Sequence, residues 1–257
     1  MELESRFPVK WRKPVPLWML LIGILATASA TAGIILLPSI LSPGPDFIMP
    51  GLHPMYVQAS GVNQTLITIQ AIRNFTGIIT VTAWSPPGMG TTLLDPQTYG
   101  AKDQILLGKA GSLILNVQDR EVGTFTVTVI ASSGAISHTA SFPVIVQNLT
   151  MTSSPSSLTI TRGSSGTTEI NLSSVNGLSG NVSLGTTVWE NYYIHAYDAN
   201  AFVNPMSMIL SSGGAGKITL TISVGQSEPN SLLRVVVSAS MVRQLWNFNL
   251  TLQVNVV

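Results

Sequence analysis

From Val188 to Ala199 the chain reads VWENYYIHAYDA, which places Trp189, Tyr192, Tyr193, His195 and Tyr197 beside Glu190 and Asp198. An imidazole flanked by carboxylates is raw material for proton transfer or for a weak metal site. Large rings with polar tips suit recognition instead. The wider inventory favours the second chemistry. His53, His138 and His195 are the only histidines, and none lies at metal-ligand spacing from another. With no cysteine in the chain, thiolate metal sites, a Cys nucleophile, structural disulfides and a blue-copper centre are all excluded.

Other catalytic signatures fare no better. The Gly-x-Ser-x-Gly elbow is absent, and the Gly-rich runs GSSGTT and GMGTT carry no phosphate-loop lysine and read as turns. Asp95, Asp103, Asp119 and Glu121 are interspersed with Lys102, Lys109 and Arg120, the pattern of a solvated surface and not of a calcium cage. The expectation is therefore a protein that is not an enzyme, with no catalytic residues, no metal and no cofactor. Its candidate binding residues are Trp189, Tyr192, Tyr193, His195, Tyr197 and Asp198. Charged residues make up only 9% of the chain with a net charge of +1, which argues against nucleic acid as a partner.

The elements that must position these residues repeat along the chain. PMYVQASGVNQTLITIQAIRNFTGIITV, from Pro54, lies without a gap on SLTITRGSSGTTEINLSSVNGLSGNVSL, from Ser157, at an offset of 103 residues. Met55 meets Leu158, Ile67 meets Ile170, Ile69 meets Leu172 and Gly77 meets Gly180. A period near 100 residues is a domain duplication. Within each copy apolar residues alternate with period two: Phe125, Val127, Val129 and Ala131 in one, Leu233, Val235, Val237 and Ala239 in the other. Phe142, Val144 and Val146, and Leu250, Leu252 and Val254, repeat the pattern in the last strands. Short strands, Gly and Ser turns and no convincing helix predict two β-sandwiches, over 46–147 and 148–257. QNLTMTSS, between the copies, holds no Pro or Gly hinge and predicts a semi-rigid connection.

SPSSLTITRGSSGTTEINLSSVNGLSGNVSL, followed by NPMSMILSSGGAGKITLTISV, resembles the tandem Ig-like domains of exported archaeal and bacterial surface proteins, similar to the NEW3-type group. The resemblance implies an all-β fold of two tandem Ig-like sandwiches and leaves function open, because such modules serve as spacers, adhesins and accessory domains alike. With no Cys pair, Ile69 with Val129 and Leu172 with Val237 would fill the space of an antibody-type disulfide. Where the family has a short small-residue turn, the first copy keeps WSPPGMGTT, from Trp84, whereas the second departs with VWENYYIHAYDA. Two readings of that departure stay open. NYYIHAYDA alternates well enough to be one more strand, with Tyr193, His195 and Tyr197 covering a sheet edge, or it is a contact loop.

Ahead of the repeats, Arg6, Lys10, Arg12 and Lys13 precede an uncharged stretch that lasts until Asp46. Residues 1–15 read as a basic cytoplasmic segment and 16–41 as a transmembrane helix or uncleaved signal anchor. The competing reading is a signal peptide cleaved near Ala28–Ala30, although the apolar run continues past it. Either way the repeats are exported. The localisation expected is the plasma membrane, single-pass, with the N-terminus cytoplasmic and the two domains extracellular. Asn63, Asn74, Asn148, Asn171, Asn181 and Asn249 begin Asn-x-Ser/Thr sequons and are candidate glycan acceptors, with Asn63, Asn74 and Asn148 expected in turns or at the junction and the others on outward faces of strands.

The expected partners are the lipid bilayer and an extracellular protein or glycan, and the expected work is surface adhesion, envelope assembly or protein–protein interaction. The alternatives are a carbohydrate-binding surface protein and an accessory subunit of an integral-membrane complex. For the accessory subunit, the small residues of GILATASATAG, Gly23 to Gly33, would permit close helix packing.

Overall fold

A computed structural model describes residues 44–119, 121–190, 194–241 and 246–257. The expected cytoplasmic segment and transmembrane helix lie outside the described residues. Among the described residues every regular element is a strand, and no helix is long and apolar enough to cross a membrane. Phe47–Val257 forms one compact unit.

The first sandwich runs through β1 (Asp46–Ile48), β2 (Met55–Gln58), β3 (Val62–Ile72), β4 (Gly77–Trp84), β5 (Gly90–Leu94), β6 (Gln104–Leu107), β7 (Ala110–Gln118), β8 (Gly123–Ser133) and the first part of β9 (Ile136–Ser154). The second uses the rest of β9, then β10 (Ser157–Ile160), β11 (Ser165–Val175), β12 (Gly180–Trp189), β13 (Ala199–Asn204), β14 (Ser207–Leu210), β15 (Ala215–Val224), β16 (Leu232–Met241) and β17 (Trp246–Val256). The order β1-β3-β7-β5 forms one face of the first sandwich, and β10-β17-β16-β12-β14 one face of the second. Both remaining faces belong to a single sheet, β13-β15-β11-β9-β8-β4-β6, with β2 paired to β9. Each sandwich thus has the two-sheet layout of an immunoglobulin-like domain.

Alternation produces this layering because successive side chains in a strand face opposite ways. Val127, Val129 and Ala131 are fully buried in the first core, and Leu233, Val235, Val237 and Ala239 in the second. Ile69 and Val129 come from opposite sheets of the first sandwich, as do Leu172 and Val237 of the second, and all four are fully buried. Burying each such side chain contributes roughly 1.5–3 kcal/mol. One core draws on residues from Phe47 to Val146 and the other on residues from Leu149 to Val256.

The connection is more rigid than a short linker. β9 pairs with β8 through Val146 and with β11 from Asn148, so one unbroken strand belongs to both sandwiches. The turn after β11 locks it. Asn176 and Gly177 take φ of 54° and 80°, a left-handed conformation that Asn and Gly adopt most readily. Asn176 Nδ2 donates to the carbonyl oxygens of Gly123 (2.7 Å) and Val146 (2.9 Å) in the first sandwich. Gln147 Nε2, almost fully buried, donates back to the Asn176 carbonyl, and Gln58 Nε2 reaches the Asn247 carbonyl.

Both sandwiches share one unusual path. After β4 and β12 the chain crosses to the opposite sheet as β5 and β13, then returns as β6 and β14 to pair with the strand it left. In the second sandwich the return is made at Pro205. The VWENYYIHAYDA stretch is therefore a sheet-to-sheet crossing.

Candidate functional site at the free end of the second sandwich

The direction of β9 fixes where the crossing lies. β9 enters the second sandwich at Asn148 and runs away from the first, β11 returns, and β12 runs outward again to Trp189. The crossing therefore lies at the end of the second sandwich remote from the first. Its neighbours there are the β10–β11 turn, the β15–β16 loop and Val257.

Val188 and Ala199, nearly fully buried, pin the two ends of the crossing. Between them the backbone doubles back. Glu190 N–H donates to the Ile194 carbonyl (2.9 Å) and Ala196 N–H to the Val188 carbonyl (3.2 Å), leaving Trp189 and His195 as an isolated bridge pair. Their rings stack with centroids 4.0 Å apart and planes 21° apart. Offset stacking of this kind favours the pair and holds the imidazole against the indole face. Past the bridge, Tyr197 is 81% exposed, Ile194 55% and, on β13, Phe202 50%. Tyr192 and Tyr193 lie outside the described residues.

Of the two readings of NYYIHAYDA, the extra strand does not form between Ile194 and Asp198: that part makes one bridge, and the next strand begins at Ala199. The backbone there is diverted to Asp198. Its N–H donates to Glu228 Oε2, its carbonyl accepts from Gly225 N–H (2.6 Å), and its Oδ2 accepts from Ser227 N–H (3.1 Å). A Cβ at 225 would stand 1.9 Å from Asp198 Oδ2, so a side chain there would push the Asp198 carboxylate out of the clasp. Asp198 thus clasps the crossing to the β15–β16 loop and does not join His195 in a proton relay. Among the described residues no three His, Asp or Glu side chains converge on a metal position.

Glu228 escaped the sequence reading. It is fully buried, although its setting, GQSEPNS, resembles a solvated turn. Asp119 departs from expectation in the same way: it is 4% exposed in the β7–β8 loop, where its Oδ1 accepts from Glu121 N–H, and is no part of a solvated acidic surface. Asp95, in contrast, is a surface ion pair with Lys102, and the Lys102 ammonium followed by the Gln97 and Thr98 N–H groups lowers its pKa to about 2. Lys102 also borders a groove of about 520 Å³ lined by Thr82, Thr91, Thr92 and Leu93.

The counterpart crossing in the first sandwich is short and folded inward. Ser85 Oγ donates to the Met89 carbonyl, and Met89 packs into the core. Of the sequons, Asn74, Asn181 and Asn249 are exposed, while Asn148 and Asn171 are half-buried. Asn63 is exposed too, yet it is the second residue of β3 and not in a turn, and its Nδ2 donates to the Tyr56 carbonyl.

No protein-family model matches the chain, and no curated protein matches it. Among solved structures, the D00-D0 domain of intimin aligns at 10% identity and a TM-score of 0.39, covering 82% of this chain and 98% of that one. The D0-D1 domain of intimin aligns at 12% identity and a TM-score of 0.31 over 82% and 97% of the two chains. Domains 4 and 5 of the S-layer protein SbsC align at 16% and 0.30 over 67% and 78%. At these values the likeness carries no argument about function.

Proposed function

We propose that the chain is a non-catalytic, membrane-anchored surface protein whose two Ig-like sandwiches hold a contact surface away from the bilayer. The contact surface is the free end of the second sandwich, and its partner is a protein of the cell envelope. The observation that carries this reading is the exposed crossing itself, with Tyr197 and Ile194 presented beside the stacked Trp189 and His195 on a scaffold that β9 makes continuous. Rings fixed by packing lose little entropy on binding, so a pre-formed aromatic tip on a stiff support suits recognition. Residues 16–41 serve as a plasma-membrane anchor with the N-terminus in the cytoplasm, and both sandwiches lie outside the cell.

Native purification through the anchor tests it. The wild-type chain should retain an envelope protein that the Trp189→Ala/Tyr197→Ala variant releases, with both proteins folded. Turnover of a substrate that His195→Ala abolishes would overturn the non-catalytic reading.

A second reading, carbohydrate binding, draws on the same 81% exposure of Tyr197, because a free phenol ring can stack on a sugar. Binding on a glycan array that Tyr197→Ala removes would favour it over a protein partner.

A further inference from the structure

The clasp beneath the aromatic tip buries a carboxyl oxygen that no donor reaches among the described residues. Glu228 is 0% exposed; its Oε2 accepts the Asp198 N–H, and its Oε1 has no hydrogen-bond partner among the described residues. Since Oε2 lies within hydrogen-bond reach of the Asp198 backbone nitrogen, the Glu228 carboxyl sits at the root of the Asp198 side chain. Asp198 spends Oδ2 on Ser227 N–H. Neither carboxyl forms an ion pair with a Lys, Arg or His among the described residues. The same loop also buries Ser231 Oγ without a partner among the described residues.

A buried carboxyl oxygen with no donor gives up its hydration for nothing and so weighs against the fold. Such groups are retained where something absent from the protein chain completes them.

We propose that the loop Gly225–Ser231 and Asp198 form a divalent-cation site of the calcium class, with Glu228 Oε1 and the free oxygen of Asp198 as its anionic ligands. Calcium takes six to eight oxygen ligands, carboxylates, carbonyls and hydroxyls among them, and the two carboxylates with Ser231 Oγ supply oxygens of that class. The nitrogen-poor set disfavours zinc and copper. Bound there, the ion ties the β15–β16 loop to the β12–β13 crossing and so holds the support of Trp189 and His195. The site stands whether or not the aromatic tip binds a partner, because it rests on Glu228 and Asp198 alone.

The test uses the full chain in detergent, with calcium as the only probe. Thermal unfolding is followed first with EGTA and then across a calcium titration into the millimolar range typical of extracellular modules. The midpoint should rise continuously with free calcium, as linkage requires of an ion that binds only the folded state. Glu228→Gln should weaken the apparent affinity at least tenfold and, in EGTA, unfold no earlier than wild type, because the amide oxygen can still accept the Asp198 N–H. Should Glu228→Gln fail to fold, Asp198→Asn keeps the backbone hydrogen bonds and should flatten the response equally. A wild-type midpoint identical in EGTA and in calcium overturns the site. So does a folded variant that keeps the full calcium response.

Discussion

The indole of Trp189 and the imidazole of His195 stack 4.0 Å apart while their backbones form an isolated bridge, so one pair of residues closes the crossing twice. Removing the imidazole should open one face of the indole to water. His195→Ala is expected to cost about 0.5–1.5 kcal/mol in urea unfolding and to shift Trp emission to the red. An unchanged spectrum and midpoint would mean that the rings do not stack in solution.

The junction depends on Asn176, whose amide feeds two carbonyls of the first sandwich. Asn176→Gly keeps the left-handed turn but loses both bonds. It should lower stability by about 1–3 kcal/mol and loosen the angle between the sandwiches, read as a broader distance distribution between spin labels on β7 and β15. A distribution as narrow as wild type would assign the stiffness to β9 alone.

Leu172 is fully buried, on the sheet opposite Val237. Leu172→Ala should destabilise the second sandwich by about 2–5 kcal/mol, in the range of cavity-forming core truncations. A loss under about 1 kcal/mol would show that the two sheets close over the gap.

Asp95 gives a pH signature outside the candidate site. Its folded pKa is lowered from 3.8 to about 2, first by Lys102 and then by the Gln97 and Thr98 N–H groups. A depressed carboxylate pKa stabilises the fold above the unfolded value, and that contribution fades as pH falls through about 2. The carboxyl resonance of Asp95 should titrate near pH 2 in the wild type and higher in Lys102→Met. Identical titrations would remove Lys102 as the cause.

The duplication and the sandwich cores were legible because period-two alternation reports burial directly. Ile67 and Ile170, Ile69 and Leu172, paired by sequence alone, occupy matching places in β3 and β11. The shared strand was less legible. QNLTMTSS carries polar residues because past Gln147 β9 pairs on one side only, with β11, and its alternate residues face solvent, a composition that resembles a linker. The clasp was not legible at all. Nothing in GQSEPNS distinguishes a buried glutamate from a solvated one; only the close approach of Asp198 to Gly225 draws it inward. Likewise the alternation of NYYIHAYDA suggests a strand, but the crossing between sheets outweighs local propensity.

The most direct test of a contact surface at the free end is a photo-crosslinking residue placed at Tyr197 in the full chain on intact cells, with Thr126, exposed on β8, as the control position. The expected result is one defined adduct with an envelope protein from position 197, none from position 126, and loss of the adduct when Trp189 is also changed to Ala. No adduct at 197, or equal adducts from both positions, would contradict a partner at this end of the molecule.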